Sequence, residues 1–243
     1  MNKNIIAISI AALGFVLGLA LLGSAIKNRN KSENTISVTG LGTKKFTSDL
    51  ITWDGNFSRN SFELQSAYNE LAADRKVISD YLVSKGIKQN EMVFSAVDIQ
   101  KQYNYTNDEN GRSTQVFAGY QLSQTVSIES KEVSKIENIS RNITEIINRG
   151  IEFTSSPPDY FYTKLAEVKQ QMIADATKDA KARAEKIAEN AGADLGNLKK
   201  ATMGVIQITA PNSNEDYSYG GTFNTQSKEK EASITIKLEY EAD

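Results

Sequence analysis

Val116-Phe-Ala-Gly-Tyr-Gln-Leu-Ser-Gln-Thr-Val-Ser-Ile128 places Val116, Ala118, Tyr120, Leu122, Val126 and Ile128 on even positions. Successive side chains of a strand point to opposite faces, so this spacing predicts a β-strand with one buried face. A second run of the same kind lies near the end of the chain, where Ala232, Ile234, Ile236, Leu238 and Tyr240 alternate with polar residues. Further strands are predicted at Ile36–Val38, at Ile51, Trp53 and Phe57, at Met92–Lys101, at Ile151–Thr154 and at Ala201–Ile208. One-faced strands of this kind belong to antiparallel sheets that need an apolar cover on one side.

Three helices supply it. Leu64, Ala67, Leu71, Ile78 and Leu82 share one face of a helix opened by a capping box at Asn60 and Glu63 and stopped at Gly86. Val133, Ile136, Ile139, Ile143 and Ile146 mark a second helix that ends at Gly150. The third runs from about Thr163 to Asn190, after Pro157-Pro158 breaks the chain. Its stripe of Leu165, Val168, Met172, Ala176, Ala180, Ala184, Ile187 and Ala191 is slim, and alanine lets a neighbouring element come close. The order strand, helix, strand, strand occurs at 51–128 and again at 151–240, which reads as a duplicated unit. The expected fold is therefore α+β, with antiparallel sheet packed by long helices.

Composition removes whole classes of chemistry. The chain has no cysteine and no histidine, which excludes thiolate nucleophiles, disulfides, serine–histidine triads and histidine-ligated metal centres. No basic patch with interleaved aromatic residues appears, so nucleic acid is not an expected partner. Asp175 and Asp179 sit one helical turn apart, but Lys178 and Arg183 are spaced to pair with them. Asn107-Asp-Glu-Asn-Gly111 departs from a calcium loop, with Thr106 and Phe117 at the first and twelfth ligand positions. No catalytic, cofactor or metal residue is assigned.

The chain starts with a run of 22 residues free of charge, Ile5 to Ile26. As a helix it measures about 33 Å, enough to cross a hydrocarbon core of about 30 Å. Residues 1–27 are accordingly expected to be a membrane anchor, 28–35 a polar linker and 36–243 the folded domain. Gly23-Ser24-Ala25 would suit a cleaved signal, the alternative reading. Gly14 and Gly18 form a GxxxG pair on which two such helices could meet. Lys27, Arg29 and Lys31 follow the run and pull toward a cytoplasmic domain.

Several stretches together resemble the SIMPL-domain family: Ile36-Ser-Val-Thr-Gly-Leu-Gly42, Asp49, Gly119-Tyr120, Asn148-Arg-Gly-Ile-Glu-Phe153, and the third helix with Ala174-Asp-Ala176, Asp179-Ala180, Ala182, Ala184, Ala188, Gly192 and Leu195-Gly196. The resemblance covers roughly Ile36 to Tyr240, and Ser48 stands where members usually carry proline. It implies a cell-envelope protein linked to oxidative-stress defence, ring-like oligomers in some members, and no catalytic residues. With the apolar run it implies an inner-membrane anchor and a periplasmic domain.

The expected function is thus a non-enzymatic, membrane-tethered envelope module that assembles with itself or binds an envelope protein. The alternatives are a carboxylate-dependent glycan hydrolase and a subunit of a ring-like pore. Self-association is expected through exposed sheet edges or the alanine-rich helix. Interaction residues are expected in the two long hairpin connections, at Tyr103, Tyr105, Tyr217 and Tyr219, because exposed tyrosines favour interfaces.

Overall fold

Most elements follow the periodicities above, and β7 is one they did not mark; the order is β1 (Thr35–Thr47), β2 (Leu50–Ser61), α1 (Leu64–Ser84), β3 (Met92–Phe94), β4 (Asp98–Asn107), β5 (Ser113–Ser130), α2 (Val133–Asn142), β6 (Phe153–Ser155), β7 (Asp159–Phe161), α3 (Leu165–Ala191), β8 (Leu195–Met203), β9 (Gln207–Thr209) and β10 (Glu229–Ala242). The structure, a computed structural model, describes residues 13–19, 21–23, 34–107, 113–216 and 218–242. The fold is α+β with antiparallel sheets, and the chain divides into two compact units. β1, α3 and β10 each run from one unit into the other.

The larger unit, Leu41–Ala176 and Gly204–Thr235, is organised by β2 and β5. They pair antiparallel from Ile51 opposite Ser130 to Ser61 opposite Tyr120. β3 and β4 extend the sheet beyond β5, while β6 and β7 extend it beyond β2. The odd residues of β2 face a core that holds Ile51, Trp53, Phe57, Leu71, Ile78, Leu122, Val126 and Ile128, and α1 and α2 add their apolar stripes. Each such aliphatic or phenyl side chain, once buried, contributes roughly 1.5–3 kcal/mol. Trp53 keeps its indole N–H satisfied by donating to the Ser155 hydroxyl at 3.0 Å.

Polar groups inside this unit are paired with care. Asp74, on the buried face of α1, takes a two-pronged contact from Arg59 of β2, with Nε at 2.5 Å and Nη2 at 2.8 Å. Nη2 also donates to the Gly150 carbonyl at 2.9 Å. Asp74 beside it raises the Arg59 pKa above its ordinary value, through the hydrogen bond first and through charge attraction as well. Gln124 takes an even, inward position of β5 and donates to the Ser95 carbonyl across the gap between β3 and β4.

At Ser48-Asp49 the chain turns from β1 into β2. The Ser48 N–H donates to the Lys228 carbonyl, a bond that a proline there could not make. The Asp49 carboxylate accepts from the Thr163 N–H and hydroxyl, both at 2.7 Å, just before α3 begins. Between β1 and α3 the approach is close. A Cβ at Gly42 would lie 2.2 Å from the Met172 carbonyl oxygen, so only glycine lets the helix backbone sit there.

The smaller unit, Met1–Gly40, Thr177–Met203 and Ile236–Asp243, pairs β8 antiparallel to β10, from Met203 opposite Ile236 to Leu195 opposite Ala242. Ala180, Ala184 and Ala188 of α3 are buried within the chain, as are Ile236, Leu238 and Tyr240 of β10.

Several expectations are corrected. No capping box forms at Asn60, which is held in β2 opposite Gln121; α1 starts three residues after Ser61, at Leu64, with Glu63 as a cap that makes no side-chain hydrogen bond. The second predicted helix is α-helical to Asn142 and 3₁₀ from Ile143 to Arg149, with its five apolar residues buried all the same. The predicted strand at Ala201–Ile208 is two strands, because the chain breaks at Gly204 between β8 and β9. Ile187 and Ala191 are exposed, since the buried stripe of α3 keeps a strict spacing of four. Of the second expected repeat, β8 and β10 pair antiparallel as β4 and β5 do in the first, while its opening strand β6 pairs with β2.

Among the described residues no helix is long and apolar enough to cross a membrane. Residues 13–19 and 21–23 are helical, and Leu13, Phe15, Val16, Leu17, Leu19, Leu21 and Leu22 are exposed. Among the described residues nothing outside the local helix backbone lies within 4 Å of a Cβ placed at Gly14 or Gly18. The rest of the predicted span lies outside the described residues.

Candidate interaction surface

The stretch from Val116 to Ile128 is one strand, but its two ends behave differently. From Leu122 to Ile128 the even residues are buried as expected, while Val116 is 50% exposed. The cause is a bulge. Gln102 of β4 pairs with Gly119, and the next residue, Tyr103, pairs with Phe117, so Ala118 is the extra residue. One inserted residue moves every later side chain to the opposite face. Gly119 has φ +127°, and a Cβ there would lie 2.8 Å from the Ser61 carbonyl oxygen, so the bulge needs glycine.

Beyond the bulge β5 has lost β2, whose pairing ends at Tyr120, and only β4 accompanies it, out to Ser113 opposite Asn107. The result is a two-stranded ribbon that continues past the sheet. Tyr103, Tyr105, Val116 and Phe117 are exposed on it. Phe117 bridges two tyrosines edge to face, with ring centroids 6.0 Å from Tyr103 and 5.2 Å from Tyr120. The Tyr105 hydroxyl accepts from Gln115 Nε2 across the ribbon at 2.7 Å, which holds the ring upright on the strand. Ile99, nearer the base of β4, adds another exposed apolar side chain.

Tyr219 is fully exposed on the connection between β9 and β10 and lines a cavity of about 340 Å³ with Leu41, Val205 and Ile234. Tyr217 lies outside the described residues. Two buried polar side chains hold this connection. Gln207 donates to the Ser218 carbonyl and accepts from the Thr222 N–H. Lys230 donates to the carbonyls of Asn224 and Ser227. Burial pushes the Lys230 ammonium below its ordinary pKa, against the opposite pull of Glu215 and Asp159. Lys230 was legible as an inward position, because it shares the parity of Ala232 to Tyr240. Among the described residues no ring contact joins Tyr219 to the ribbon, so the expected tyrosines form separate patches.

Sequence reasoning did not single out Phe117 or Ile99 as surface residues; Phe117 falls on the odd parity opposite the predicted buried face, while Ile99 lies inside a predicted strand. Asp179 pairs with Arg183 at 3.0 Å, while Asp175 forms no ion pair with Lys178 among the described residues. Nor do the described residues hold a group of three or more acids placed for a metal ion.

A two-sheet α+β fold with a long β-ribbon is what the described residues define. Residues 36–240 match the SIMPL family, described as a protein of unknown function (DUF541), and the chain belongs to that family. A 26 kDa periplasmic immunogenic protein of Brucella abortus (strain S19) is 25% identical over 203 residues, which cover 81% of this chain and 77% of the relative. The protein of the same name from Brucella melitensis biotype 1 is 24% identical over the same shares.

Proposed function

We propose that this protein is a non-enzymatic cell-envelope module, tethered by its N-terminal apolar run, that associates with copies of itself or an envelope protein through the β4–β5 ribbon. The ribbon carries the reading: it exposes Tyr103, Tyr105 and Phe117 together on one face, with Val116 exposed on the other, where isolated exposed apolar residues would need no explanation. Aromatic residues are enriched at interfaces, and rigid rings lose little entropy when covered. The periplasmic naming of the Brucella relatives and the 22-residue apolar run both support an extracytoplasmic domain on a membrane anchor. A role in envelope protection under oxidative stress rests on the family resemblance alone. The alanine face of α3 is already buried within the chain and leaves the ribbon as the better surface.

Light scattering on the full chain in detergent tests this. The expected result is a protein mass above the monomer at tens of micromolar, reduced by Tyr105→Arg with Val116→Arg. A monomer throughout, or an assembly indifferent to both charges, removes the ribbon from the reading.

A further inference from the structure

The turn at Ser48-Asp49 forms one wall of an open cleft of about 790 Å³ within the larger unit. Two helices begin in it. Lys131, Glu132 and Val133 bring the start of α2, and Thr163-Lys164 bring the start of α3. The first N–H groups of a helix have no partner inside it and carry partial positive charge. On α2 the cap residue Glu132 makes no side-chain hydrogen bond to them.

Charge in the cleft is unbalanced. Lys131, Lys135, Lys164 and Lys228 line it against the carboxylates of Asp49 and Glu132. Asp49 is occupied by Thr163, Glu132 by Lys135, and Lys228 reaches Ser134 and Glu137. The ammonium groups of Lys131 and Lys164 have no ion-pair partner among the described residues. An independent sign comes from Ser48. The residue is 4% exposed, it lines the cleft, and its hydroxyl is the one buried side-chain polar atom among the described residues without a hydrogen-bond partner. An unpaired buried hydroxyl costs about 1–3 kcal/mol, so a fold that keeps one at the wall of a cationic cleft has a use for it.

We propose that this cleft binds a phosphate-class oxyanion, free or carried on a lipid headgroup. Lys131 and Lys164 supply charge, the α2 N-terminus supplies N–H donors, and Ser48 supplies a hydroxyl donor after a rotamer change. Carboxylate ligands lack the third and fourth oxygens that so many converging donors can engage.

The test uses the full chain in neutral detergent micelles, with inorganic phosphate titrated calorimetrically against chloride at matched ionic strength. In a second arm the micelles carry phosphatidic acid or phosphatidylcholine, and binding is read as a rise in unfolding temperature. Phosphate binding in solution assigns the site to a free oxyanion. A rise with phosphatidic acid alone assigns it to a headgroup. Lys131→Ala with Lys164→Ala should weaken either response at least tenfold, and both side chains are exposed, so the variant should fold. Ser48→Ala should weaken binding several-fold while unfolding, without ligand, at the same or a higher temperature. No response in either arm, an equal effect of chloride, or unchanged affinity in either variant overturns the proposal.

Discussion

Arg59 is the side chain on which β2, α1 and the end of the 3₁₀ segment converge, and its partner Asp74 is 5% exposed. The two ends of this pair are not equivalent. Asp74 cannot reach water, whereas the Arg59 side chain retains 29% of its exposure. Arg59→Ala therefore strands a buried carboxylate and should cost about 3 kcal/mol, toward the lower end for a broken buried pair. Asp74→Ala leaves a guanidinium that can turn to solvent, and should cost about 1–2 kcal/mol. Urea denaturation of the two variants checks this order. Equal losses would mean that the pair is solvated from both sides.

At the scale of the element, α3 is the instructive case. Val168, Met172, Ala176, Ala180, Ala184 and Ala188 are buried at a constant interval of four. With about 3.6 residues per turn, such a stripe advances about 40° around the helix at each step. The helix thus presents a winding ridge, and alanine keeps that ridge low. Where it meets β1 the clearance is set by Gly42. Gly42→Ala puts a methyl group into the Met172 carbonyl and should destabilise by about 3 kcal/mol, as overpacking does when backbone must move. Gly220→Ala, whose nearest neighbour would be the Ser218 hydroxyl at 3.9 Å, should stay within about 0.5 kcal/mol of the parent. Thermal unfolding compares them, and a tolerated Gly42→Ala would show that α3 can slide on the strand.

For the whole molecule, the proposed anchor makes a prediction about which side of a membrane the domain would occupy. The lysines and arginine after the apolar run favour the cytoplasm, while the names of the relatives point outward. Our reading places the domain outside, because the positive-inside bias here rests on only three residues, Lys27, Arg29 and Lys31. Protease added to intact spheroplasts should then digest it without lysis. Protection until the membrane is broken would reverse the orientation, and a mature chain starting near Ile26 would turn the anchor into a cleaved signal.

What the sequence determined by itself is what depends on neighbours along the chain. Strand parity in β10, the apolar faces of α1 and α2 and the stops at Gly86 and Gly150 all follow from spacing, because those periods are fixed by backbone geometry. The family was legible for the same reason, its motifs being local. The exposed tyrosines were legible only as loop composition. What the tertiary structure alone decided is pairing over distance. Asn60 reads as a helix cap until Gln121 holds it in a strand, and the strand read at Ile151–Thr154 shows nothing in the sequence of its partner, β2. Val116 reads as core until a single bulge opposite Tyr103 turns it to solvent. The Ser48 cleft shows least in the sequence. Its four lysines come from three separate segments, and a hydroxyl lacks a partner only relative to everything folded around it.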